Sequence, residues 1–188
     1  WFSRVKGIGN ENIAKVIGLI DIRKADTVSA LWKFAGYHVV NGKAPKREKG
    51  GGKLEYNSRL RTMCWRVGTS LIKAKGKFYE YYLAEKQKYI HRFESEGFEI
   101  VAAAELPSDK GKRHETDKII SEGHIHHMAF RKMMKLFLAC LWEFWRVAEG
   151  LETRRLYVEE HLGHTDIIKP DEMVDRPLRK KREKKSKP

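Results

Sequence analysis

The sequence predicts a mostly α-helical domain with a helix-hairpin-helix motif near its start, one small β-hairpin and a disordered basic C-terminal tail. Apolar residues recur at helical spacing in several segments, and Gly, Asn and Thr stand where helices would begin and end. At 188 residues and 41% hydrophobic content, the chain is long enough to bury the core of one domain. We place this domain at residues 1–165 and the tail at residues 166–188.

The helix-hairpin-helix is predicted at about residues 1–22, around Gly7-Ile8-Gly9. Neither glycine has a side chain, so the turn can be sharp and its backbone N–H groups can approach a phosphate. The next helix adds the positive end of its dipole, Lys6 and Lys15 flank the anion, and Ile8 enters the core. The apolar face of that helix is expected to consist of Ile13, Ile17 and Ile20. An ordinary glycine-rich turn between two helices is the alternative.

Two further elements precede a loop rich in glycine and lysine. Asp26 or Thr27 can cap a second helix, which Gly36 is placed to end. The strand-like residues 37–40 and the Asn41-Gly42 pair predict the β-hairpin. Residues 43–53, which we call the basic loop, contain five basic residues and three consecutive glycines. The loop is predicted to contact phosphate through Lys46, Arg47, Lys49 and Lys53.

Three longer helices follow. Asn57 can cap a helix with an apolar stripe at Leu60, Cys64, Val67 and Leu71, and Arg59 and Arg61 lie off that stripe. A helix of roughly residues 78–93 comes next, and residues 98–115 are expected to form an irregular, solvent-exposed loop. The last helix, about residues 124–149, carries apolar residues at helical spacing, with further core packing expected from Met133, Met134 and Trp142. The spaced residues are Phe137, Cys140, Leu141, Phe144 and Ala148.

Charge favours a polyanionic partner. The formal net charge is +14, and residues 176–188 combine eight basic residues with one acid. Such a segment buries too little apolar surface to order itself and is typical of a disordered arm on nucleic acid. A solubilising tail or a localisation signal is the alternative.

The remaining composition indicates a cytoplasmic protein. Cys64 and Cys140 both lie in apolar helical patterns and are expected to be buried thiols in a reducing compartment. We expect no membrane span and no leader peptide. The oligomeric state stays open.

Several motifs occur in an order and spacing that resemble the C-terminal domain of RNA-guided insertion-sequence transposases. They are Gly7-Ile8-Gly9, Ile20-Asp21-Ile22, residues 29–36, the basic loop and Asn57-Ser58-Arg59-Leu60-Arg61. The resemblance covers residues 5–75. Family members join DNA through a serine in the glycine-rich loop, assisted by carboxylates of a RuvC-like half. Residues 46–53 contain no serine, and Ser58, the nearest hydroxyl, better suits helix capping or phosphate contact. The resemblance therefore implies a DNA-binding relative of transposase-like ancestry and not a complete recombinase. It also implies that the protein is nucleoid-associated or encoded by a virus or mobile element.

The histidines suggest a rival metal site. His124-Ile125-His126 resembles the metal pair of rolling-circle nucleases, and His161 and His164 bring the possible zinc ligands to four. On a helix, however, residues two positions apart point away from each other, and there is no Cys pair at zinc-finger spacing. We therefore expect no metal and no cofactor, with phosphate contacts by His124 or His127 as the better alternative.

The sequence thus predicts a DNA-binding protein without enzymatic activity, which holds the phosphate backbone with low sequence specificity. The expected contacts are Lys6, Gly7, Ile8, Gly9, Lys15, Lys46, Arg47, Lys49, Lys53, Arg59 and Arg61. Double- or single-stranded DNA fits this interpretation. Tyr37, Tyr56 and Trp65 are candidates for base stacking, although Trp65 lies beside the apolar stripe and is expected to pack in the core. The alternatives are a transposase or recombinase fragment that needs a missing catalytic half, and an RNA-binding module.

Overall fold

A computed structural model describes residues 1–40, 42–45, 54–153 and 168–177, in which five α-helices form most of the fold. The helices are α1 (Asn10–Ile17), α2 (Val28–Phe34), α3 (Ser58–Ala74), α4 (Lys77–Ser95) and α5 (Glu122–Ala148). Short 3₁₀ turns stand at Phe2–Arg4, Ile22–Lys24 and Pro170–Met173. The predicted mostly helical class is confirmed.

The predicted helix boundaries at α2 and α3 follow from side-chain caps. Thr27 Oγ1 accepts a hydrogen bond from the Ala30 N–H at 3.1 Å, and Asn57 Oδ1 accepts one from the Leu60 N–H at 3.0 Å. Each cap satisfies a donor that the first turn of a helix leaves without a partner. Both helices therefore begin where their caps predict.

The main core lies between α3, α4 and α5, with α1 and α2 packed against it. The predicted stripe of α3 is buried, as are Met133, Met134 and Trp142 of α5. Three predicted core positions are corrected. Ile17 is 37% exposed, and Val16, one position and about 100° earlier around α1, is buried in the main core instead. Phe144 and Ala148, near the end of α5, are also exposed.

The β structure lies mainly where the sequence predicted an irregular loop. Strands β1 (Glu99–Val101) and β4 (Ile119–Ser121) pair in parallel. Between them in the sequence, β2 (Ser108–Asp109) and β3 (Lys112–Arg113) form a separate antiparallel hairpin. Lys110 and Gly111 both have positive φ, which a two-residue hairpin turn requires. The predicted hairpin at residues 37–43 is reduced to a single bridge between Val40 and Lys43; Asn41 lies outside the described residues.

Residues 168–177, which we call the C-terminal clasp, pack against the start of the chain. The Trp1 indole N–H donates to the Pro170 carbonyl at 2.8 Å. The Asp175 carboxylate accepts from the backbone N–H of Lys6 at 2.7 Å and from that of Lys77 at 2.8 Å. This part of the predicted tail therefore belongs to the folded domain, and residues 178–188 lie outside the described residues.

Candidate nucleic-acid interface

The turn at Gly7-Ile8-Gly9 is held tightly against α3. Gly7 has φ +92°, and a Cβ added there would lie 2.6 Å from the Ala74 Cβ and 2.8 Å from the Ser70 carbonyl oxygen. Only glycine meets both conditions without strain. The need for glycine at this position thus has a structural cause, independent of any anion.

Gly9 differs from Gly7 because it faces open space. It is the N-cap residue of α1, and no atom lies within 4 Å of the position its Cβ would take. Among the residues that the structure describes, no side chain caps α1. Ile8 is half-buried and packs against the main core, as expected. The turn therefore leaves the start of α1 accessible, while the preceding element is one 3₁₀ turn rather than a full helix.

The two lysines that flank the turn already have partners nearby. The Lys6 backbone N–H donates to the Asp175 carboxylate, and the Lys6 side chain itself is exposed. The Lys15 ammonium pairs with Glu11, one turn earlier on α1. The hydrogen bond from Lys15, with the charges of Lys15 and Arg66, lowers the pKa of Glu11. An anion at this turn would therefore meet a carboxylate as well as two ammonium groups.

The exposed side of α3 presents cations and no carboxylate. Residues 58–74 contain no Asp or Glu, and the side opposite the buried stripe consists of Arg59, Thr62, Trp65, Arg66, Thr69 and Lys73. We call these six residues the α3 face; at 3.6 residues per turn they lie within an arc of about 120°. Trp65 is 55% exposed, contrary to its expected place in the core. It follows Cys64 by one position and thus points about 100° away from the buried stripe.

Arg59 and Arg61, predicted together as phosphate contacts, have different surroundings. Arg59 is exposed. Arg61 is half-buried, and its Nη1 donates to the Gly36 carbonyl at 3.0 Å and to the Pro45 carbonyl at 3.3 Å. Its guanidinium also lies 5.0 Å from the centre of the Tyr56 ring. Arg61 therefore fixes the end of α2 and the start of the basic loop.

The basic loop starts and ends beside the first turn of α3. Lys46, Arg47, Lys49 and Lys53 lie outside the described residues. On the near side, Arg61 holds Pro45; on the far side, the Asn57 N–H donates to the Phe34 carbonyl at 2.8 Å. The loop is therefore anchored at the same end of α3 as Arg59.

Sequence reasoning missed a group of cations on α5. Arg131 Nη2 donates to the carbonyls of Tyr37 and His38, each at 3.3 Å, and the Lys135 ammonium lies 3.9 Å from the centre of the Trp32 ring. Burial and neighbouring cations lower the pKa of both Arg131 and Lys135. Their spacing, one helical turn apart, was the available signal. Tyr37, predicted as a stacking candidate, is buried beneath them.

The histidines at the start of α5 point to different neighbours. His124 Nδ1 lies 2.6 Å from Glu115 Oε2, and His126 Nδ1 lies 2.7 Å from the Tyr82 hydroxyl. Although partial burial opposes it, hydrogen bonds from Ser121 and His124 lower the pKa of Glu115. The Ser121 hydroxyl, which also caps α5, donates to Glu115. This network fixes the start of α5, and His161 and His164 lie outside the described residues.

No protein-family model, curated protein or solved structure matches the chain. Among the described residues, His, Cys, Asp and Glu form no group of three or more that could hold a metal ion. Within the same ranges, no helix is both long and apolar enough to cross a membrane.

Proposed function

We propose that the protein binds DNA through the phosphate backbone with little sequence preference, and that it has a transposase-like ancestry. The observation that carries this proposal is the α3 face, where three exposed cations follow one another along a helix without an acidic residue. Cations spread over about 21 Å of helix suit a linear polyanion better than a single small anion.

Several features extend this surface. The basic loop begins next to Arg61, at the same end of α3 as Arg59, and α1 with Lys15 packs against α3. The charge of Arg66 contributes to the lowered pKa of Glu11, so one carboxylate of α1 also lies near the α3 face. The overall excess of 14 positive charges attracts DNA from a distance at low salt.

Low sequence preference follows from the residue types. Lys, Arg and Thr bind phosphate oxygens readily, whereas base edges are read by Asn, Gln or Arg side chains aimed into a groove. The α3 face contains no Asn or Gln, so Arg59 and Arg66 would be its only base-reading side chains. Binding is therefore expected to depend mainly on charge.

The test is a titration of the full chain with duplex DNA, single-stranded DNA and structured RNA at about 50 and 200 mM salt. Arg59→Glu should weaken DNA binding and reduce the salt slope by about 0.9, because one phosphate is no longer neutralised. Lys118→Glu is the matched control, since it reverses one exposed lysine charge just before β4, outside the α3 face. Equal effects of the two variants would remove the α3 face from the interface. Tighter binding of RNA than of either DNA would favour the RNA-binding alternative.

Lys15→Glu tests the contribution of the turn. Lys15 is exposed and surface changes of this kind alter stability by less than about 0.5 kcal/mol, so the melting temperature should hardly move. DNA affinity should fall, most strongly at low salt. Unchanged affinity would reduce Gly7-Ile8-Gly9 to a structural turn and leave binding to the α3 face and the basic loop.

A further inference from the structure

Trp65 stands out among the tryptophans whose surroundings the structure describes. The indole N–H groups of Trp1, Trp32 and Trp142 donate to backbone carbonyls, Trp145 packs against the main core, and all four rings are buried or half-buried. Trp65 is 55% exposed. Within the described ranges, its indole has no hydrogen-bond partner and its ring pairs with no other aromatic ring or cation. More than half of the Trp65 surface is therefore left uncovered by the described part of the fold.

The neighbours of Trp65 indicate what could cover it. Arg66 follows it directly, and Thr62 and Thr69 lie one turn away on either side. A protein partner that covered this ring would have to bring acidic groups to match the cations of the α3 face. A nucleic-acid strand brings flat aromatic bases and phosphates at regular spacing, which match the indole and the cations together.

We propose, resting on the DNA-binding function above, that Trp65 stacks on an unpaired base of a single-stranded DNA segment lying along α3. Arg59 and Lys73, toward the two ends of the helix, hold phosphates on either side. In an intact duplex both faces of each base are covered by neighbouring bases, so the indole gains a stacking partner only where a strand is unpaired. The protein therefore prefers single-stranded or locally opened DNA to closed duplex.

The decisive experiment compares two oligonucleotides with the same number of phosphates, oligo-dT and an abasic strand, by fluorescence anisotropy. The full chain should bind oligo-dT more tightly than the abasic strand. Trp65→Ala should weaken oligo-dT binding roughly 5- to 150-fold, as expected for one stacked base, and leave abasic binding unchanged. Trp65→Phe should recover part of the loss, because phenylalanine keeps a π-face.

Leu83→Ala is the control, because Leu83 is an exposed apolar side chain on α4, and it should change neither affinity. Equal binding of oligo-dT by wild type and Trp65→Ala, with salt-dependent DNA binding retained, would overturn the stacking proposal and leave the backbone proposal standing. If wild type binds no DNA at the lower salt, both proposals fail. Self-association that Trp65→Ala abolishes, without an effect on oligo-dT binding, would make this face an interface between copies of the chain.

Discussion

Asp175 is expected to contribute strongly to stability although it lies in the last part of the described chain. Its carboxylate accepts hydrogen bonds from two backbone N–H groups, those of Lys6 and Lys77, and it lies directly beside Gly76. Lys77 is the first residue of α4, so Asp175 supplies the cap that Gly76, the N-cap residue, has no side chain to provide.

The expected cost of Asp175→Ala follows from these two bonds. A hydrogen bond to a charged group contributes about 1.5–3 kcal/mol, and we take the lower end because both bonds lie near the surface. The variant should therefore lose about 3 kcal/mol of unfolding free energy. For a chain of this size, that lowers the melting temperature by about 6–12 °C. Asp175→Asn keeps one acceptor oxygen and should lose about half as much.

Asp171→Ala is the matched control, since it removes the same side chain from the same clasp. Asp171 pairs with Arg4 at 3.0 Å, but its side chain is 82% exposed, and such pairs contribute less than about 1 kcal/mol. Thermal unfolding by far-ultraviolet circular dichroism and urea denaturation measure the difference. Equal losses for Asp175→Ala and Asp171→Ala would refute the reasoning, as would an Asp175→Asn variant as unstable as Asp175→Ala.

Three further outcomes are expected. Gly7→Ala should lower the free energy of unfolding in urea by more than about 2 kcal/mol, because Gly7 has a positive φ and contacts α3. Gly9→Ala should lower it by less than about 1 kcal/mol. Similar losses would contradict the different surroundings of the two glycines. Residues 178–188 hold seven cations, and their deletion should weaken binding to all DNA sequences alike. The salt slope should fall by at most about 6, and the melting temperature should not change. An unaltered slope would show that the tail is not a nucleic-acid arm. Burial raises the pKa of both Cys64 and Cys140 to about 12. The native thiols should therefore be alkylated slowly, at a rate that does not rise between about pH 7 and 9, and should react after unfolding. Fast alkylation of the native chain would contradict this.

Local signals predicted most of the helical fold. The caps Thr27 and Asn57 and the stripe of α3 depend on residues within a few positions of each other, so the sequence alone reveals them. The 3.6-residue period of a helix also shows which residues share a face, but it does not show which face is buried. The core position predicted for Trp65 is wrong because the residue merely adjoins Cys64, and one position turns a side chain by about 100°.

The parts of the site that depend on contacts between residues far apart in the sequence could not be predicted. Arg59 and Arg61 are equivalent in pattern, and only the approach of Gly36 and Pro45 makes Arg61 a support for the basic loop. Asp175 lies 169 positions after Lys6 and 98 positions after Lys77 in the sequence. No local sequence pattern encodes contacts between residues so far apart. Close packing against Ala74 likewise explains Gly7 in a way that the Gly-Ile-Gly motif cannot.

The C-terminal clasp also sets the order in which the domain can be completed during synthesis. Chains fold from the N-terminus as they emerge, and contacts between distant residues form last because the cost of closing a loop rises with its length. The turn at Gly7 and the start of α4 appear early but lack their shared carboxylate until residue 175 has been made. A chain interrupted before the clasp would carry all five helices yet leave that junction open. The junction between the Gly7 turn and α4 is therefore complete only after residue 175 has been made.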